Sequence, residues 1–574
     1  MKKIYFTLII ALSAVCAQSC RILEEDPTIL TASTTYKSND DAQYALNGVY
    51  GAINSYEFYG QYYSIELCLN DDTCYYRSSN NSNILMMNIF DSGTKQLYDL
   101  WTKLYAGIRN ANAFLEGIKD SGFDKDRQME VQARFLRAFY YYNLAQCWGD
   151  VPLRTKSTAN FEDAQCAATP QIDVLNWVIK EMTDCIDLSD GSLAGAPSRV
   201  TKTTMQGFLA RVYLFRAGAT VVGTPEEKLD AYAKARDLCK AVMDSGKHRL
   251  NPSYSQVFIN MIGDIYDRTY YESMWEADFL GNRTSSDYYS NGRIGDLNGL
   301  QSTGSADYSK FNCNYSYGMF GNTPKIWDLY MKDDRTEDET ELATVTDVRQ
   351  EWNIPPYNYR GYSNATHPLY PYGGDPSDIR DLIVSIDKTP YVYNYISTNQ
   401  DPLIKIAGRN TGKFRRETCY EPQQNAKNLY TGINFPILRY SDVLLMFAEA
   451  SNECADAPSQ EAYDAVLSIR DRAGIQTLPF DSYDKESFRE FVRNERAREL
   501  CFEGIRRFDL IRWGIFVQEM KKLSEQAEDP RWSADGDAKF CSQMGTRYQD
   551  RHIILPVPDL ELGVNPLMKQ NPLW

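Results

Sequence analysis

The chain has 574 residues, with 77 acidic and 61 basic side chains and a formal charge of −16, which argues against a nucleic-acid binder because phosphate neutralisation requires clustered Lys and Arg. Hydrophobic residues make up 43% of it, enough for several lobes or one large composite body and too many for disorder. Its 3 scattered histidines (His248, His367, His552) and its 13 cysteines without a CxxC pair exclude the usual spacings for zinc, triad or thioredoxin-like chemistry, and no metal or cofactor is expected.

Lys2 and Lys3 precede an apolar run over residues 4–17. It is too short to span a bilayer and reads as a secretory signal, residues 1–19. Ala17-Gln18-Ser19-Cys20 sets small residues before a cysteine, as in a lipobox. Cys20 is then the expected lipid-bearing first residue of the mature chain, with ordinary cleavage beside an incidental cysteine as the competing reading. Residues 21–27, acidic and ending in Pro27, read as an exposed tether or simply as a solvated charge run. No later stretch is long and apolar enough for a transmembrane helix.

From there to residue 262 the pattern is helical. Met129, Ala133, Leu136 and Tyr140 share one face; Asp126 is the expected cap, and Gly149-Asp150-Val151-Pro152 the stop. Residues 174–188 place Leu175, Val178, Met182 and Cys185 together. Thr201 caps a helix carrying Met205, Leu209 and Val212, and a further one carries Ala231, Ala235, Leu238 and Val242 before Gly246. Short connections predict antiparallel neighbours. Small residues such as Ala210, Ala217, Ala233 and Ala235 alternate with aromatics, as in degenerate tetratricopeptide packing. Cys185, Cys239 and Cys501 read as small buried hydrophobes, whereas Cys68 and Cys74 are close enough in sequence to bridge a loop.

Residues 263–435 are rich in Tyr, Asn, Gly, Asp and Pro, which predicts an elaborated surface with a few short strands, one over 272–279. Residues 436–574 return to helices, at 442–452, 460–472 and 485–502. The expected division is therefore 20–262, helical, and 263–574, loop-rich and then helical.

Two kinds of cluster carry candidate chemistry. Between Arg493 and Arg512, Glu495, Arg496, Arg498, Glu499, Glu503 and Asp509 alternate in sign among Phe502, Phe508 and Trp513. Glycosidase carboxylates need a fixed separation across a cleft; this alternation instead predicts a mutually neutralising brace. Binding a sugar calls for aromatic platforms with polar edges. Asn70, Asp71, Asp72, Tyr75, Tyr76 and Arg77 have that content, as do Tyr288, Tyr289, Asn291 and Arg293, and then Tyr315 and Tyr317. For any single tyrosine, packing is the commoner role, so the expectation rests on the patches. The acidic run 333–339 lacks the EF-hand rhythm and reads as a solvated loop.

Six blocks in order resemble the SusD/RagB family. They are Ser38-Asn39-Asp40-Asp41-Ala42 with Ala45-Leu46-Asn47-Gly48-Val49-Tyr50; 133–141 running to Trp148-Gly149-Asp150-Val151-Pro152-Leu153; Ala210-Arg211-Val212-Tyr213-Leu214; 437–446 with Ala448-Glu449-Ala450; Asn494-Glu495-Arg496-Ala497-Arg498-Glu499-Leu500 continuing to Trp513-Gly514; and 555–558 through Asn565-Pro566 to Pro572. The resemblance implies a mostly α fold of irregular tetratricopeptide-like helical hairpins, about four pairs, with a loop-rich, minor-β ligand-facing region. It places residues 70–77 where the family's first ligand-facing loop falls. It also implies a non-enzymatic, lipid-anchored protein of the outer membrane, its acidic tether resembling a signal for display on the cell exterior, that captures an oligosaccharide, less often a peptide, for a SusC-like TonB-dependent barrel. An extracytoplasmic glycan hydrolase and a helical-repeat adaptor without a small ligand are the competing functions.

Overall fold

A computed structural model describes residues 36–78, 83–119, 121–158, 165–192, 195–280, 292–301, 316–331, 347–355, 409–416, 429–529 and 538–574. Cys20 and the tether, the acidic run 333–339, and Tyr288, Tyr289, Asn291 and Tyr315 lie outside them.

Helix α1 (Asn39–Tyr50) starts where the Ser38 hydroxyl accepts the Asp41 N–H at 3.1 Å. Two π-helical turns, Tyr56–Gly60 and Tyr62–Leu67, lead to strand β1 (Cys74–Tyr76). Helices α2 (Lys95–Ile118) and α3 (Gln128–Trp148) then run antiparallel, with Gly107 beside Tyr140 and Asn112 bonded to Arg137 at 2.8 Å. Almost every residue of α3 from Val131 onward is buried, so neighbours surround it on all sides. Its start differs from expectation. Asp124, rather than Asp126, accepts the Met129 and Glu130 N–H groups at 2.8 and 2.7 Å, because Arg127 adopts the left-handed conformation (φ 59°) and folds the chain back. Gly149, at φ 74°, ends the helix as expected.

Helices α4 (Gln171–Leu188), α5 (Lys202–Arg216) and α6 (Pro225–Asp244) continue the hairpins. Thr201 caps α5 at 3.2 Å, Thr224 and Glu227 form a capping box on α6, and Gly246 follows its end at φ 63°. Helix α7 (Tyr254–Ile262) leads to strand β2 (Ser273–Ala277), inside the span expected for one. Next come α8 (Ile294–Leu297), β3 (Phe320–Asn322), α9 (Pro324–Met331), α10 (Val348–Asn353) and β4 (Phe435–Arg439). Strand β1 pairs antiparallel with β3 (Tyr76 opposite Phe320), and β2 pairs antiparallel with β4 (Ala277 opposite Phe435). The chain closes with α11 (Tyr440–Glu453), α12 (Gln460–Ala473), α13 (Lys485–Leu500), α14 (Arg506–Arg512), α15 (Phe516–Gln526), α16 (Ala538–Arg547) and α17 (Asp559–Val564).

One core joins the two halves. Trp275 of β2 lies 4.7 Å from the ring of Phe139, 5.5 Å from that of Phe208 and 5.9 Å from that of Phe135. Small positions receive large neighbours, as at Gly107 under Tyr140 and Gly207 under Leu438. The described cysteines are free thiols, Cys68 and Cys74 included, so no bridge closes that loop.

Candidate functional site

The charge cluster of α13 and α14 is buried. Glu495 meets Arg349 (2.6 Å), Arg470 (2.9 Å) and Arg498 (3.1 Å); Glu499 meets Arg472 (2.6 Å), Arg439 (3.0 Å) and Arg349 (3.2 Å). Glu503 bonds Arg439 at 2.7 Å and Lys413 at 2.8 Å, Arg496 joins Asp442 (2.8 Å) to Asp509 (2.9 Å), and Arg512 holds Glu449. Burial alone would raise the carboxyls of Glu495, Glu499, Glu449 and Asp442, but the guanidinium groups outweigh it. Glu495 and Glu449 are held down at about 2, and Glu499 lower still. Carboxylates engaged in this way carry no proton to donate at neutral pH, and their lone pairs are occupied. The cluster is a brace. Arg349 from α10, Lys413 and Arg439 tie the loop-rich middle of the chain to Glu495 and Glu499 of α13.

Against this brace the structure places the expected ligand residues unevenly. Asp71, Asp72 and Tyr75 are fully buried, and Tyr76 is nearly so. Asp71 accepts from the Thr73 N–H at 2.7 Å and hydroxyl at 2.6 Å, and Asp72 is paired with Arg506 (2.7 Å) and Lys325 (2.6 Å). Asn83 donates to the Tyr76 hydroxyl. These four residues are thus interior in this structure: β1 pairs with β3, and Asp72 neutralises two buried cations. Arg77 is half-buried, and its N–H donates to the Met319 carbonyl at 2.9 Å.

Two other expected residues converge on one carboxylate. Arg293 bonds Asp296 and, at 3.1 Å, the Gln61 side chain. The Tyr317 N–H donates to the same Asp296 at 3.0 Å, while the Tyr317 side chain remains 36% exposed. Asn410 bonds the Gly318 carbonyl at 2.7 Å, and Gly292 bridges Thr431. These contacts bring residues 292–293, 296, 316–318, 410 and 431 together, with Tyr317 their exposed member.

Sequence reasoning missed part of this face. Tyr56 lies 5.0 Å, ring to ring, from Tyr62 and 6.4 Å from Tyr430. Beneath them Gln61 donates to Glu66, whose second oxygen is buried with no hydrogen-bond partner among the described residues. Burial pushes the Glu66 carboxyl up to about 7, with Gln61 and Arg293 opposing the shift. The available signal was the run Tyr56-Glu57-Phe58-Tyr59-Gly60-Gln61-Tyr62-Tyr63. It follows neither a helical nor a strand period because it folds as π-helical turns. Gln61, Glu66 and Tyr430 are buried, so what a hydroxyl-rich ligand can reach is the half-buried Tyr56, Tyr62 and Arg293 and the exposed Tyr317. Among the described residues, no three His, Cys, Asp or Glu side chains are grouped to hold a metal ion.

The family model "SusD family" matches residues 271–574, and a second, "Starch-binding associating with outer membrane", matches residues 24–214. The chain is 24% identical to SusD-like protein P25 of Formosa agariphila, over 97% of this chain and 96% of that one. A crystal structure of a SusD homolog from Bacteroides thetaiotaomicron superposes with a TM-score of 0.77 at 26% identity, covering 96% of this chain and all of that one. A laminarin-binding SusD-like protein superposes with a TM-score of 0.66 at 18% identity over 94% of this chain and all of its own. The first match takes in the brace, both strands of the β2–β4 pair and more than half of the residues; this chain belongs to the SusD family.

Proposed function

We propose that this chain is a lipid-anchored protein of the outer-membrane surface that captures a glycan and delivers it, with no bond broken, to a SusC-like TonB-dependent transporter. The observation that carries the reading is the meeting of Tyr56, Tyr62 and Tyr430 with Arg293 and Glu66, with Tyr317, 36% exposed, joined to Arg293 through Asp296. Rings of this kind stack on the C–H face of a pyranose while the polar groups bond its hydroxyl rim. The names of relatives agree, one binding laminarin and another being a surface glycan-binding protein from Bacteroides uniformis. Cys20 is the proposed anchor, and no helix among the described residues is long and apolar enough to cross a membrane. The arginine-bonded carboxylates of the brace favour binding over hydrolysis.

Titration calorimetry against a panel of neutral oligosaccharides, β-glucans among them, tests this. One panel member should bind saturably and be recovered intact by chromatography. Tyr62→Ala with Tyr317→Ala should weaken it at least tenfold while the melting profile holds, since each lost stacking contact is worth about 1 kcal/mol. Cleaved product would establish the hydrolase reading instead, and a copurifying partner with no ligand from the panel would favour the adaptor.

A further inference from the structure

A groove elsewhere on the molecule shares no lining residue with that face. It runs between α2, residues 154–158 and α17, with a cavity of about 310 Å³, within the range of small-ligand sites. On α2, Tyr98, Thr102, Tyr105 and Arg109 follow one helical stripe along it, over a floor of buried Trp101 and Ile108. The opposite wall is built, not draped: Asn112 donates to the carbonyls of Arg154 (3.1 Å) and Lys156 (3.0 Å), and Glu116 accepts the Ser157 N–H at 2.8 Å. Tyr105 donates to the Pro152 carbonyl at 2.8 Å, and the Arg154 guanidinium lies 5.8 Å from its ring centroid. From α17 come Glu561 and Val564, the latter 67% exposed.

Two features point to the ligand. The first is charge. Among the described residues the lining holds Arg109 and Lys156, with Arg154 beside them and Glu561 as its carboxylate, in a chain of formal charge −16. Arg109 and Lys156 make no ion pair among the described residues. Elsewhere the basic side chains of α2 and α3 are paired, as Lys95 with Asp99, Arg134 with Glu181 and Arg137 with Glu181. A cationic concavity in an acidic protein concentrates anions. The second is the Ser157 hydroxyl, which lines the groove, is buried, and has no hydrogen-bond partner among the described residues.

We propose that this groove is a second binding site, for a saccharide unit bearing a carboxylate or a sulfate. The anion sits between Arg109 and Lys156, the sugar face lies on Tyr98 and Tyr105, and Ser157 bonds a ring hydroxyl. This stands independently of the capture function proposed for the Tyr317 face.

Calorimetric titration with galacturonate and glucuronate di- and trisaccharides, a sulfated disaccharide and the matching neutral sugars tests it, at 50 and 500 mM salt. At least one acidic sugar should bind, tenfold or more tighter than its neutral counterpart, and the two acidic classes separate uronate from sulfate. Binding should fall at least tenfold in R109Q/K156Q and at high salt, yet persist in Tyr317→Ala. Thermal melts check that each variant folds, and S157A supplies a gentler one with a smaller loss. Equal affinity for neutral sugars, no saturable binding of any acidic sugar, or loss in Tyr317→Ala with R109Q/K156Q unaffected, overturns the proposal.

Discussion

Asp71 and Asp72 are neighbours in sequence, equally buried, and titrate in opposite directions. Burial, then the Asp72 charge, pushes Asp71 up to about 7 from 3.8, with Thr73 opposing. Burial acts on Asp72 too, but Arg506 and Lys325 outweigh it and hold the carboxyl well below the usual range. The consequences for stability differ in sign. Asp72 contributes stability above about pH 4 that is lost as pH falls through its folded value. Asp71 keeps its proton in the folded state where the unfolded chain has released it, so its presence costs stability as pH rises from about 4 to about 7. Asp71→Asn keeps an acceptor for Thr73 and removes that cost. Unfolding free energies from urea titration should differ in the variant's favour by only about 1 kcal/mol at pH 4.5 and by up to about 4 kcal/mol at pH 8. A difference independent of pH would mean that Asp71 is ionised throughout. At this scale the sequence does not tell burial from exposure, since two acids beside tyrosines look the same inside a protein as on its surface. What decides between them is Arg506, 434 positions away.

At the scale of elements the sequence was far more readable. The stripes at Met129–Tyr140, Val174–Cys185, Met205–Val212 and Ala231–Val242 are all helical faces, and Thr201, Gly149 and Gly246 act at their ends. Burial imposes the 3.6-residue period, and periodicity survives without knowledge of the partner. The π-helical turns carrying Tyr56 and Tyr62 had no such period to betray them. How hairpins fit together is a matter of small residues. A Cβ on Gly107 of α2 would lie 2.7 Å from the Tyr140 ring of α3, and that ring is pinned because its hydroxyl donates to the Val49 carbonyl. Gly107→Ala should gain slightly in helix propensity and lose more in overpacking, a net cost of about 1–3 kcal/mol in chemical denaturation. Tyr140→Phe in the same chain frees the ring tip and should recover part of that cost, giving a coupling energy in a double-mutant cycle. Purely additive effects would show that the hairpin accommodates the methyl elsewhere.

Across the whole molecule, the question is whether the helical half before residue 262 and the half after it behave as one body. The packing argues for one. Trp275, on a strand of the second half, is fully buried among Phe135, Phe139 and Phe208 of the first, and Arg211 of α5 reaches Asp442 of α11 at 2.6 Å. From there the brace continues through Arg496 and Asp509 to α14. Replacing Trp275 by alanine opens a cavity at this junction and should cost about 3–5 kcal/mol. If the halves are coupled, hydrogen exchange in the variant should quicken together in α3 and in α13, although of these two only α3 touches the cavity. Trp275→Phe is the discriminating control. The indole N–H is buried without a hydrogen-bond partner among the described residues, so phenylalanine discards an unsatisfied donor and leaves a smaller void, and should be much milder. Faster exchange confined to α3, with α13 protected as before, would mean that the brace holds the second half independently and that the shared core merely joins two bodies.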